Sequence, residues 1–175
     1  MNLEELNIEV SPVFVRNIQS TKRIRCNQGG TRSSKTYSIL QVLIVEALQE
    51  TGKVITICRK TFSSLKGTAM RDFFEILKNA DLYSEKNHNK SDSLYELNGN
   101  LFEFVGLDQP QKKRGAKRDK LFINEANDLT YEDWTQLRLR TKGVIYIDYN
   151  PSDEFHWIYE KVNQDRTANL LNPRT

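Results

Sequence analysis

The sequence predicts an α/β fold: a mostly parallel central sheet with helices on both faces and a β-hairpin addition. Three observations predict it. Strand-like and helix-like segments alternate along the chain, which favours parallel strands joined by crossover helices. A glycine-rich turn, Gly29-Gly30-Thr31-Arg32-Ser33-Ser34-Lys35-Thr36, joins the first strand to the first long helix. Two alternating apolar runs flank Asn98-Gly99, the strongest short-range hairpin signal.

Taken in order, Lys22 to Asn27 alternates polar and apolar residues as a short strand does. Thr36 to Glu50 places Ile39, Leu40, Leu43, Ile44, Ala47 and Leu48 at helical spacing. Lys53 to Cys58 reads as a buried strand, and Leu65 to Leu82 as an amphipathic helix on Leu65, Ala69, Phe73, Phe74, Ile76 and Leu77. Leu94 to Leu97 and Leu101 to Val105 form the hairpin arms. Lys120 to Asn124 and Val144 to Tyr149 complete the strands, and Thr130 to Arg140 opens with a threonine cap and acidic residues as a short helix does. Ligands of such sheets bind beyond the carboxyl ends of the strands.

A chain of 175 residues with 38% hydrophobic content suits one domain with a substantial core. Its 26 Lys+Arg against 23 Asp+Glu leave a net charge of +3, too small to argue nucleic-acid binding from charge alone. The acidic start Met1-Asn2-Leu3-Glu4-Glu5 lacks the apolar stretch of a secretory leader, and no run approaches the length of a membrane span, so a soluble cytosolic protein is expected. Cys26 and Cys58 fall in expected interior strands, as reduced thiols packed like small hydrophobes. His88 and His156 are isolated, so no zinc-type constellation is present.

The Gly29–Thr36 turn keeps the spacing of a phosphate-binding loop, with Ser34 where the second glycine belongs. Backbone N–H groups of such a loop curl around phosphates, Lys35 reaches the β and γ phosphates, and Thr36 ligates Mg²⁺. The expected ligand is therefore ATP with Mg²⁺, and the competing reading is a flexible Gly/Ser surface turn. Leu121-Phe122-Ile123-Asn124-Glu125 is an apolar strand ending in two polar groups. In a P-loop NTPase of the ASCE type the first would hold the magnesium shell and the second would polarise the attacking water. Here Asn124 can reach a magnesium-bound water only through its amide oxygen, without charge, while Glu125 is the candidate general base.

Asp148 ends the Val144–Tyr149 strand, expected between the phosphate-loop strand and the Glu125 strand, and is a candidate to compensate for Asn124 at the metal; an ordinary strand-end carboxylate is the alternative. Asn150, next to Pro151, is a candidate sensor of the γ-phosphate or an Asx-Pro turn. The basic segment with Lys112, Lys113, Arg114, Lys117, Arg118 and Lys120 reads as a solvated loop, as phosphate-backbone contacts, or as the source of an arginine acting in a neighbour's site. Arg114 is the first candidate for that arginine and Arg118 the second, while Arg32 offers a charge in cis.

GGTRSSKT, Cys58-Arg59-Lys60-Thr61-Phe62-Ser63-Ser64-Leu65, the hairpin running into Val105-Gly106-Leu107-Asp108, FINEAN and YNPSDEFHWIYEKV together resemble the large terminase subunit of tailed bacteriophages, over residues 14 to 162. The resemblance implies the ATPase of a genome-packaging motor: a homo-oligomeric ring on the portal protein, working with the small terminase subunit and translocating double-stranded DNA. It implies Lys35 and Thr36 as the phosphate-loop pair, Arg32 as the loop arginine, Glu125 as the catalytic glutamate and Asn150 as the coupling residue. Ser34 for glycine is a mild departure in bulk, and Asn124 for the usual aspartate puts the metal shell in question.

Adenine contacts are expected around Phe14 to Gln19. The expected layout is a single ATPase domain: an N-terminal arm over 1–21, a core over 22–162, and over 163–175 the start of a linker toward a nuclease domain that lies outside this chain. The expected setting is the host cytoplasm, and no nuclease activity is assigned. Two alternatives stand beside the motor: a non-hydrolysing nucleotide-binding assembly module, which Asn124 favours and Glu125 opposes, and a helicase-like DNA-dependent ATPase.

Overall fold

Strand β1, Ile24–Gln28, is flanked by the helices α1, Pro12–Gln19, and α2, Lys35–Gln49, on one face of the sheet. The computed structural model describes residues 3–6, 8–30, 33–110, 116–151, 156–162 and 168–171. α1 starts at Ser11, whose hydroxyl accepts from the Phe14 N–H at 3.1 Å, with Pro12 at the first helical position, where its missing donor costs nothing. Asn17 on α1 and Asn27 on β1 pair their amides reciprocally at 2.7 and 3.0 Å. Both are buried, so each would be costly without the other. The stretch expected as an arm thus contains a helix docked on the core, a docking that no local period in the sequence announces.

The remaining strands are β2, Val54–Arg59; β3, His88–Asn89; β4, Leu94–Leu97; β5, Asn100–Gly106; β6, Lys120–Ile123; β7, Ile145–Tyr149; and β8, Ala168–Leu171. They form one sheet in the order β3-β4-β5-β2-β6-β7-β1-β8. Pairing is parallel except at β3–β4 and β4–β5, the hairpin addition. Asn98 and Gly99 both have positive φ, 51° and 72°, as a primed hairpin turn requires. The Asn98 and Asn100 side-chain amides donate to Ala47 and Glu50 carbonyls, so the hairpin caps the end of α2. β8 pairs with β1 over Ile24–Asn27. Residues 168–171 therefore extend the sheet edge, where the sequence reading placed the start of a linker.

The helix expected over Leu65 to Leu82 is α3, Phe62–Leu65, then a π turn, Lys66–Met70, then α4, Arg71–Asn79. α5 spans Tyr131–Leu139 and begins with a capping box between Thr130 and Asp133. Because successive strand residues face opposite ways, β2 sends Ile55 and Ile57 to the core under α1, α2 and α4, and Cys58 to the core under α5. Cys26 and Cys58 are buried free thiols, and burial pushes both up to about 12. No described helix is long and apolar enough to cross a membrane.

Candidate nucleotide site at the ends of three strands

The carboxyl ends of β1, β7 and β6, three neighbours in the sheet, carry the phosphate loop, Asp148 with Asn150, and Asn124 with Glu125. Sheet order alone brings together residues far apart in sequence. Of the loop, Gly29, Gly30, Ser33, Ser34, Lys35 and Thr36 are described; Thr31, Arg32 and also Arg114 lie outside the described residues. The Lys35 ammonium is held by the carbonyls of Gly29 at 2.6 Å and Gly30 at 2.8 Å and by the Ser33 hydroxyl at 2.9 Å. It is only 6% exposed, and this burial lowers its pKa against the pull of Asp148 and Glu125.

Ser34 precedes α2 with φ 57° and ψ 15°, the left-handed region that glycine adopts without penalty. The substitution at Ser34 is thus a backbone matter, not the small question of bulk that the sequence suggested. The cost of left-handed backbone for a residue with a Cβ is about 1–2 kcal/mol. Glu125 is left-handed too, at φ 52° and ψ 58°. Two such residues at the carboxyl edge of the same sheet fit the tendency of strain to gather at functional sites.

Asp148 is the hub. It is 1% exposed, and Thr36 Oγ1 donates to its Oδ2 at 2.6 Å while the Glu125 backbone N–H donates to its Oδ1 at 2.6 Å. Asn124, also 1% exposed, directs Nδ2 at both carboxylate oxygens, at 3.2 and 3.1 Å, and at Thr36 Oγ1 at 3.2 Å. The amide nitrogen of Asn124 therefore faces the loop, and its oxygen lies 3.4 Å from the Thr68 hydroxyl on the π turn. Beside a buried carboxylate the donor end of the amide is the favoured one, whereas the sequence alone suggested the oxygen as the end toward a metal-bound water. Burial raises the Asp148 carboxyl, and the bonds from Thr36, Glu125 and Asn124, together with Lys35, pull it back.

Glu125 is raised by burial first and by the Asp148 charge second, against Arg59 and Lys35. Asn150 Nδ2 lies 3.4 Å from Glu125 Oε2, so the candidate sensor touches the candidate base. Arg59, at the end of β2, donates to Thr68 at 3.1 Å and lies 4.0 Å from Asp128. Neither Arg59 nor Thr68 was assigned a role from the sequence. Arg59 ends β2, and Thr68 lies on the π turn, Lys66–Met70. The turn after Glu125 is clamped by the segment following Asn150: His156 contacts the Asn127 carbonyl at 2.9 Å and Trp157 donates to the Leu129 carbonyl at 2.7 Å.

Of the other candidates, Arg118 is 1% exposed and donates to the Ala116 carbonyl at 3.0 Å. It cannot serve as an arginine reaching into a neighbour, because its guanidinium is enclosed by its own fold. Lys120 pairs with Glu46 at 2.7 Å and with Glu50, which removes it from any phosphate-binding surface. Phe14 and Asn17 are interior residues. A cavity of about 890 Å³ beside the loop is lined instead by Ile8 to Ser11, Ser34, Tyr37, Ser38, Gln41, Ile76, Asn79 and Ala80. Among the described residues no cluster of three His, Cys, Asp or Glu side chains forms a metal cage. A Mg²⁺ here fits the carboxylate and hydroxyl of Asp148 and Thr36, with remaining ligands from phosphate and water, as that ion prefers.

The sequence profile of the phage terminase large subunit matches residues 21–173. The chain belongs to the phage terminase large subunit family. Among solved structures it is similar to the large terminase of a thermophilic bacteriophage, with a TM-score of 0.77 at 17% identity, covering 94% of this chain and 46% of that one. The Thermus phage P74-26 large terminase ATPase domain gives a TM-score of 0.74 at 15% identity, covering 97% of this chain and 83% of that one. The first of these terminases, solved in complex with ATP-gamma-S, gives 0.68 at 19% identity, over 97% of this chain and 43% of that one. The chain thus spans about half the length of the thermophilic phage terminase and most of the P74-26 ATPase domain. No curated protein matches it.

Proposed function

We propose that this chain is the ATP-hydrolysing motor domain of a viral terminase, driving double-stranded DNA into a capsid shell. The observation that carries the proposal is the convergence of Lys35, Thr36, Asp148, Glu125 and Asn150 at the ends of three adjacent strands, on a fold shared with a terminase solved with a nucleotide analogue. Lys35 exchanges its contacts to the loop for the β and γ phosphates. The first N–H groups of α2 face the same phosphates, where the helix dipole favours negative charge. The cavity flanked by Tyr37 and Gln41 takes the nucleoside.

Thr36 and Asp148, the latter oriented by Asn124, would hold Mg²⁺, which would offset charge developing on the phosphate oxygens. Glu125 accepts the proton of the attacking water, and a carboxyl raised by burial suits that work near neutral pH. Asn150, in contact with Glu125, reports the presence of the γ-phosphate to the segment that follows it. Arg32 in cis and Arg114 from a neighbouring subunit supply further positive charge. The partners are double-stranded DNA, the portal protein and the small terminase subunit, and the working assembly is a homo-oligomeric ring.

Phosphate release from ATP by the purified chain, at concentrations that permit assembly, tests the reading. Glu125→Gln is expected to lower turnover at least a hundredfold while leaving ATP binding in place. Equal turnover in the two proteins would rule Glu125 out as the base. No turnover in either, with binding intact, would instead favour the assembly module.

A further inference from the structure

We propose that the metal-facing carboxylate of this site has moved to the neighbouring strand. Asp148 on β7 is the group that faces the Mg²⁺ shell, and Asn124 on β6 is the donor that clamps it. The inference rests on the ATPase reading and deepens it by dividing the roles of Asn124 and Asp148.

Three observations point the same way. Asp148 Oδ2 is 2.6 Å from Thr36 Oγ1, the hydroxyl that the phosphate loop offers to the cation. Among described groups, Asp148 is the one carboxyl in direct contact with that hydroxyl. Asn124 meets both oxygens of the same carboxylate through one amide nitrogen, at 3.2 and 3.1 Å, with its oxygen turned away toward Thr68. The pair is therefore polarised, with a donor on β6 and an acceptor on β7. The parallel register of β6 on β7, Ile123 opposite Ile147, sets their successors side by side.

An amide facing a carboxylate is complementary, whereas two carboxylates in that buried space repel, and two amides, though they can pair, bring no charge to a cation. The carboxylate can occupy either strand, but not both. Asp148 also accepts from the Glu125 N–H at 2.6 Å, so the metal-facing group pins the backbone of the candidate base in its left-handed conformation. This arrangement gives Asn124 a positioning role, acting through Asp148 and not on the reacting atoms.

The test measures binding of a fluorescent ATP analogue, in excess Mg²⁺ and in EDTA, to the wild type, Asp148→Asn, Asn124→Asp and the double exchange, with the melting temperature of each. The wild type is expected to bind more tightly with the metal. Asp148→Asn should lose that metal-dependent gain by about ten- to a hundredfold, with its melting temperature as the control for folding. Asn124→Asp, despite adding an acid, should melt several degrees lower and gain nothing from the metal over the wild type. The double exchange should recover both the metal-dependent gain and the melting temperature.

A metal-dependent gain preserved within twofold in Asp148→Asn overturns the proposal, as does a double exchange no better than Asp148→Asn. A tighter metal response in Asn124→Asp alone also overturns it. Absence of nucleotide binding by the wild type in either buffer overturns the ATPase reading and this inference with it, so the two failures are told apart.

Discussion

Two residues at the site hold backbone conformations that their side chains disfavour, and each makes a measurable prediction. Ser34 at φ 57° is expected to be improved by glycine. Ser34→Gly relieves a penalty of about 1 kcal/mol, and a chain of this size should then melt about 2–4 °C higher. An unchanged or lower melting temperature would show that the serine hydroxyl contributes what the backbone loses. Glu125 makes a prediction in pH. Its carboxyl is raised in the folded state, so the native protein holds that proton more tightly than the unfolded chain does. The associated stability is present below the ordinary glutamate range and is lost as pH rises through the raised value. Glu125→Gln, which cannot ionise, should therefore melt higher than the wild type at neutral pH, with the gap closing toward about pH 4. A gap that is constant with pH would refute this electrostatic account of Glu125.

At the scale of elements, the junction of β5 and α3 decides whether the π turn sits where it does. A Cβ on Gly106 would collide with the Phe62 backbone nitrogen and with Asp108 Oδ1. That carboxylate oxygen accepts from the Phe62 N–H at 2.9 Å and so holds the start of α3. Gly106→Ala is expected to cost about 1–3 kcal/mol, the range for overpacking a tight contact, and to lower ATP turnover along with stability. Turnover unchanged in a folded variant would mean that the placement of α3 and Thr68 does not reach the site. The sequence made this helix visible, since Leu65, Ala69, Phe73, Ile76 and Leu77 recur at helical spacing and all are buried. The π turn inside it was not visible, because a single wider turn leaves the apolar pattern nearly intact. The hairpin was legible for the opposite reason: Asn-Gly states its turn geometry locally.

For the molecule as a whole, a ring with an arginine supplied in trans predicts complementation between inactive copies. A Glu125→Ala chain keeps its arginine, and an Arg114→Ala chain keeps its base. Mixed in equal amounts, they should recover part of the ATPase activity that each lacks alone, because some interfaces combine an intact Glu125 with an intact Arg114. No recovery, with assembly verified by light scattering, would remove Arg114 from that role. Arg118, enclosed in its own subunit, should show no complementation of this kind.

The α/β class, the phosphate loop, the hairpin and the candidate base are each written in a short window of sequence: a spacing, a period or a turn dipeptide. What those windows meet is set by the packed fold. The docking of α1 through the Asn17–Asn27 pair, the edge strand β8, the burial of Arg118 and the left-handed Ser34 all depend on neighbours distant in sequence. Asn124 shows the difference most directly. Within its strand, it is an aspartate position without a charge; set beside β7, it is the donor to Asp148. A hydrogen bond has a direction, and which end of an amide faces a site is fixed only when sheet order has placed its partner.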